Sequence, residues 1–155
     1  YKRIVNFYKL KIMKKNNLKI YKSIFISDVH LGTKGCQANK LLEFFKNSRS
    51  ENLYLVGDII DVWAMQKTFY WPQEHNDVIQ KILRKARHGT NVFYIMGNHD
   101  EMLRKFIPMH FGSIKMVNRV IHETVKGKKY LVVHGDAWDG VTKYVKFLDR
   151  RFECQ

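Results

Sequence analysis

Apolar residues in this chain gather in short runs that stop at polar punctuation. Ile24, Phe25 and Ile26 form one run, residues 53–56 a second, 92–96 a third and 130–133 a fourth. Runs this short, bounded by Gly, Asp, Asn or His, read as buried strands. Between them the spacing changes. Ala38, Leu41, Leu42, Phe44 and Phe45 recur at helical intervals within 37–46, and Val78, Ile79, Ile82, Leu83 and Ala86 do so within 73–87. His88 and Gly89 then end the second helix, because Gly is the usual residue past a helix terminus. Strand–helix–strand–helix–strand predicts an α/β fold with a parallel sheet and right-handed crossovers. After Pro108 the style shifts to short runs at 114–117, 120–125 and 129–133, with Lys126-Gly127-Lys128 as a hairpin turn. These predict a second set of strands packed on the first. A helical stretch over 141–151 closes the chain.

The strand ends carry the chemistry. The first leads into Asp28-Val29-His30, the second into Gly57-Asp58-Ile59-Ile60-Asp61, the third into Gly97-Asn98-His99-Asp100, and the fourth into His134-Gly135-Asp136. In open α/β sheets, ligands bind beyond the carboxyl ends of strands. Carboxylates, imidazoles and an amide oxygen gathered there suit two divalent cations, and such a pair cleaves phosphate esters by attack of a hydroxide. Asp28 and His30 suit the first cation. Asp58, with two carboxylate oxygens, is the natural bridge, and Asn98 and His134 suit the second. His99 would point elsewhere and donate a proton to the leaving group, while Asp61 orients it and raises its pKa. Asp-x-His or Gly-Asp alone is common by chance; the signal is all four motifs, each after its own strand.

Composition and charge narrow the setting. With 45% apolar residues and only two prolines, the chain belongs with folded domains rather than disordered or fibrous ones. Its 28 Lys and Arg against 14 Asp and Glu give a net charge of +14, which suits nucleic acid, an anionic membrane surface or a phosphorylated substrate. A basic, Lys- and Asn-rich proteome style gives the same excess. Residues 1–22 hold eight Lys or Arg and no acid. That leader is either frayed or a peripheral anchor to an anionic bilayer. Cys36 and Cys154 are too few for a disulfide scaffold, so a reduced, cytoplasmic protein is expected.

The motifs resemble those of the calcineurin-like metallophosphoesterases. Within that family the similarity is greatest to the UDP-2,3-diacylglucosamine diphosphatases, over residues 22–152. It rests on Ser27 to Gly32, on Tyr54 to Asp61 with Trp63, and on Tyr70 to Asp77. It continues in Gly97 to Glu101 and in His134 to Gly140. The resemblance implies an αββα sandwich, two Mn2+-like ions, and hydrolysis of UDP-2,3-diacylglucosamine to lipid X and UMP in lipid A biosynthesis. It carries the same roles onto the same residues: Asp28 and His30 on one metal, Asp58 bridging, Asn98 and His134 on the other, His99 as acid. Trp71 and His75 fall in a substrate-proximal segment; they contact substrate or form a packed loop over the helix at 73–87. Asp100, Asp136 and Asp139 support the centre or cap helices. The expected location is the cytoplasm, peripheral on the inner membrane, with nucleic acid not the expected partner.

The family's Gly-His-x-His motif, which adds an imidazole to each metal, does not occur in these 155 residues. The expectation is therefore a basic leader at 1–22 and, at 23–155, the N-terminal portion of a metallophosphoesterase domain incomplete at its C-terminus. Activity is expected to be reduced, with a complementing C-terminal fragment as a partner. The alternatives are another metallophosphoesterase acting on nucleotides, or a non-catalytic remnant of an interrupted gene.

Overall fold

The computed structural model describes residues 18–136. Strands β1 (Lys19–Ile26), β2 (Ser48–Val56), β3 (Asn91–Ile95) and β5 (Ile114–Val117) run parallel, and β4 (Met109–Phe111) pairs antiparallel with β5 at the edge. The sheet order is β1-β2-β3-β5-β4. Two helices make the crossovers: α1 (Ala38–Lys46) joins β1 to β2, and the longer α3 (Gln73–Arg87) leads into β3. A short helix, α2 (Val62–Lys67), lies between β2 and α3, and a 3-10 turn spans Glu101–Phe106. β6 (Val120–Glu123) and β7 (Lys129–Val132) form a separate antiparallel pair. The parallel α/β architecture is the expected one.

Alternation along the strands creates two apolar faces. On one, Ile24, Leu53, Leu55, Val92 and Ile114 meet Phe45 of α1 and Val78, Ile82 and Ala86 of α3. Each of the larger side chains buried here stabilises the fold by about 1.5–3 kcal/mol. On the other face, a row of rings crosses the sheet in register. Phe25 stacks on Tyr54 at 4.6 Å between centroids, Tyr54 stacks on Phe93 at 5.1 Å, and the Lys115 ammonium lies 5.4 Å from the Phe93 centroid. His122 of β6 meets Phe25 and Tyr54 edge-on, and its Nδ1 lies 3.0 Å from the Tyr54 hydroxyl. That hydrogen bond ties the small sheet to the large one.

Three boundaries differ from expectation. β1 starts at Lys19, inside the stretch read as leader, because its backbone pairs with β2 from Lys19↔Ser48 onward whatever the side chains. β2 likewise reaches back to Ser48, through polar residues with no apolar pattern. α2 had no periodicity to reveal it; it is held by its N-cap, where the Asp61 carboxylate accepts the Ala64 N–H at 2.8 Å. The leader before residue 18 and the helix expected over 141–151 lie outside the described residues.

Tyr54→Phe keeps the stacked ring and deletes the hydroxyl. We expect a loss of about 0.5–1.5 kcal/mol in urea unfolding, with amide exchange rising more in β6–β7 than in β1–β3. Equal exchange changes in both sheets would show that the hydroxyl does not hold the hairpin.

Candidate metal centre

Four loops meet at the carboxyl ends of β1, β2, β3 and β7. The first two are laced together beyond the strands. Asp28 N–H donates to Gly57 O at 3.2 Å, His30 N–H to Asp58 O at 2.9 Å, Leu31 N–H to Ile59 O at 2.9 Å, and Asp61 N–H to Leu31 O at 2.7 Å. This lacing holds an unusual backbone. Among the described residues, the non-glycine positions with positive φ are Asp28 at 54°, His30 at 52° and Asp58 at 55°. Such conformations cost about 1–3 kcal/mol each and persist only where surrounding bonds over-determine them. All three are residues expected to bind metal.

Asp58 is the hub. It is 4% exposed, and its Oδ1 accepts the His99 N–H at 2.9 Å. Its Oδ2 stands 3.9 Å from both His99 Nε2 and His134 Nε2, beyond hydrogen-bonding reach of either. Nitrogen and oxygen donors each about 2.0–2.2 Å from one cation stand about 3–4 Å apart, so this spacing fits an ion between them. Two donor sets share Asp58: His30–Asp58–His99 and Asp28–Asp58–His134, each with its ligand atoms within 4.8 Å of one another. Hard carboxylates and borderline imidazoles are a donor set for divalent ions.

The grouping departs from the sequence expectation. Asp28 meets His134, with Oδ1 4.0 Å from Nε2, and His30 groups with His99. His99 does not point away. Its ring is caged by His30 at 4.9 Å and Trp63 at 4.8 Å between centroids. Asn98 lies on the turn between Gly97 and His99, and its carbonyl accepts the Glu101 N–H at 3.4 Å.

Asp61 organises the imidazoles. Its Oδ2 lies 3.0 Å from His30 Nδ1 in a hydrogen bond that leaves His30 Nε2 free to face a cation. Its Oδ1 lies 3.0 Å from His99 Nδ1, close but not aligned as a hydrogen bond. Burial pushes the Asp61 carboxyl up, yet His99, the Ala64 N–H and His30 outweigh it and hold the group below its ordinary value. In return the Asp61 carboxylate raises the His99 imidazole, against burial and with help from Asp58 and Asp100.

Glycines make the close approaches possible. A Cβ on Gly97 would overlap Asp58 Oδ1 and fall 2.6 Å from its backbone nitrogen, and one on Gly57 would overlap the His134 ring. Both glycines stood in the motifs, but only the packing shows why no larger residue fits.

The pattern that defines the calcineurin-like phosphoesterases matches residues 21–152. The chain belongs to this family. Curated relatives named UDP-2,3-diacylglucosamine hydrolase are similar to it. That of Psychromonas ingrahamii is 30% identical over 121 residues, covering 74% of this chain and 47% of the relative. That of Blochmanniella pennsylvanica is 27% identical over 116 residues, covering 73% and 46%. That of Porphyromonas gingivalis is 26% identical over 125 residues, covering 76% and 46%. The chain thus spans about half the length of the curated relatives it matches. A solved structure, the Pseudomonas putida nuclease MPE, aligns with 62% of this chain and 47% of its own at 19% identity and a TM-score of 0.36. Among the described residues, no helix is long and apolar enough to cross a membrane.

Two further features of the site were only partly legible. Asp100 is fully buried; it accepts the Gly97 N–H at 2.6 Å and the Tyr94 hydroxyl at 2.8 Å, shaping the turn that carries Asn98 and His99. Burial raises the Asp100 carboxyl, and burial beside Asp100 lifts the Tyr94 phenol well above its ordinary value. His75, read as a substrate contact or as part of a packed loop, lies buried. Its ring is 2% exposed, wedged edge-on against Tyr70 and Trp71, and its Nδ1 accepts the Gly32 N–H at 3.1 Å. It pins the loop after His30 rather than facing solvent. Trp71 donates from Nε1 to Asn76 Oδ1 at 2.8 Å and packs over α3, which matches the packed-loop alternative.

Gly97→Ala, with Gly35→Ala as a control where the added methyl meets open space, should lower stability by about 1–3 kcal/mol and shift the side-chain NMR signals of Asp58. Equal melting temperatures for the two variants would contradict the packing. His75 gives a pH dependence. Burial lowers its pKa below 6.5 in the folded chain, so the unfolded chain takes up the proton first. Stability is then complete above pH 6.5 and falls as pH drops through the window down to the folded pKa. Urea titrations at pH 7 and 5 should show His75→Gln losing part of that fall; an unchanged slope would remove His75 as its source.

Proposed function

We propose that this chain carries the dinuclear centre of a phosphoester and pyrophosphate hydrolase whose substrate is a nucleotide-linked lipid, UDP-2,3-diacylglucosamine. The observation that carries the reading is the sharing of one buried carboxylate, Asp58, by two donor sets. The names of the relatives supply the substrate class. When bound, two divalent cations, Mn2+ in this reading, supply an activated water and neutralise phosphoryl oxygens.

The residues divide the remaining work. Asp58 would be shared by the two cations, and Asp28, His30, Asn98 and His134 would supply the remaining donors. Asp61 holds His30 in the tautomer that presents Nε2. His99 stands in the His30 donor set; in this reading it is not a ligand but, with its pKa raised by Asp61, gives a proton to the leaving oxygen. The strained backbone at 28, 30 and 58 keeps the donors in place before any ion arrives, so little ordering is left to oppose binding. The basic stretch at 1–22 suits the anionic inner face of the cytoplasmic membrane, where a lipid substrate resides. Because the chain spans about half the length of the relatives, full-rate turnover in this reading draws on further ligands. A Gly-His-x-His motif on a complementing C-terminal segment is the expected source.

The test is Mn2+ titration by calorimetry together with UMP release from UDP-2,3-diacylglucosamine, for wild type and Asp58→Ala. We expect two ions on the wild type and no measurable binding after substitution. UMP release should require Mn2+, run below full-length rates, and vanish with Asp58. Cleavage that survives Asp58→Ala, or preferential cleavage of an oligonucleotide, would replace this reading with another phosphoesterase activity.

A further inference from the structure

His134 reaches the centre from β7, a strand whose only partner in the described chain is β6. Nothing in the main sheet's hydrogen-bond ladder fixes where its ring stands. An imidazole can also flip and exchange its two nitrogens, so a ligand at this position needs something to hold it.

The holding contacts are present. His134 Nδ1 lies 3.2 Å from Asp136 Oδ1. The other oxygen of Asp136 accepts from Arg104 Nη2, from the 3-10 turn that follows the Asn98–His99 loop. The same nitrogen reaches the carbonyls of Met96 and Gly97, each at 3.4 Å. The side chains of His134 and Asp136 are 13% and 15% exposed, so these contacts are shielded from water. A planar guanidinium with several N–H groups is suited to bind a carboxylate and neighbouring carbonyls together.

We propose that Arg104 and Asp136 are positioning residues that lock the His134 ring and the Gly97–Asn98 turn into one unit, tuning the cation site built on Asp28, Asp58 and His134. The proposal rests on the two-cation reading but makes a narrower claim. Asp136 accepts a hydrogen bond from the Nδ1–H of His134, which leaves the Nε2 lone pair facing Asp28 and Asp58. Arg104 neutralises Asp136 and anchors it to the loop from β3. Tyr54 and His122 tie the two sheets together at the aromatic row; Arg104 ties them at the ligand end. By sequence, Arg104 reads as part of a solvated basic face or, as the alternative, a phosphate clamp. The His30–Asp58–His99 set has its own organiser, Asp61.

The two sets should therefore respond differently. Arg104→Met and Asp136→Asn are the variants, studied in the 155-residue chain. We expect calorimetry with Mn2+ to show one of two sites weakened by about 10–100-fold, the range for loss of a partner that orients a metal-binding imidazole, with the other unchanged. Nitrogen-15 NMR of the ion-free protein should show His134 as a single Nδ1–H tautomer in wild type. A mixture is expected in Asp136→Asn, whose amide offers Nδ1 either an oxygen or an N–H. Equal weakening of both sites, or a His134 tautomer indifferent to both substitutions, would overturn the clamp. If wild type binds no Mn2+, the two-cation reading fails by itself, while the tautomer measurement still decides the clamp. If Arg104→Met does not fold, the near-isosteric Asp136→Asn carries the test.

Discussion

One buried carboxylate sets the terms for the rest of this structure. Asp58 sits at positive φ against a glycine, with two imidazoles beyond hydrogen-bonding distance of its free oxygen. An isolated buried carboxylate is expensive, because water no longer solvates its charge. The surroundings respond in layers. The His99 N–H satisfies one oxygen, and the backbone lacing between the loops after β1 and β2 holds the strained turn. Gly57 and Gly97 clear the space, and Asp100 braces the turn that carries His99. The free Asp58 oxygen is left 3.9 Å from each of two imidazole nitrogens, a spacing that suits donors to a shared cation.

Charge is distributed to match. Asp28, Asp58, Asp61, Asp100 and Asp136 are five of the 14 acidic residues in the chain, and all stand in or against this centre. The surface elsewhere is correspondingly basic. Such an arrangement draws polyanions toward the molecule as a whole while reserving its densest negative charge for cations. The two preferences agree if the substrate arrives as a phosphate ester and meets the ions at the surface.

Much of this was legible beforehand, for a physical reason. A parallel strand is buried on both faces, so it reads as an unbroken apolar run, and its end is marked by the first residue that must be polar. That is why Asp28, Asp58 and Asn98 stood out; His134 follows β7, an antiparallel and largely exposed strand, and stood out only as the end of an apolar run, while helical spacing placed α3 at Gln73–Arg87. Boundaries set by backbone pairing were not legible, as at Lys19 and Ser48. Nor were relationships between side chains distant in sequence. The grouping of Asp28 with His134, the cage around His99 and the turning of His75 toward Gly32 depend on loop geometry. Residue identity and spacing do not encode that geometry in any local pattern. His75 shows the limit most clearly: an aromatic-flanked histidine near a site looks the same in sequence whether it faces a ligand or a backbone N–H.

The parallel order of the main sheet has a consequence for how the molecule is made. Parallel neighbours cannot zip from a tight turn; each pairing waits for a whole crossover to form. The ligand loops come together only through such non-local closures, and Asp28 meets His134 across nearly the full described chain. High contact order of this kind slows folding. The β4–β5 and β6–β7 hairpins are the local exceptions and can form early by themselves, yet the second delivers His134 only when it docks on the aromatic row. The Asp28–Asp58–His134 set is thus complete only once residues 134–136 have joined the loops that follow β1 and β2.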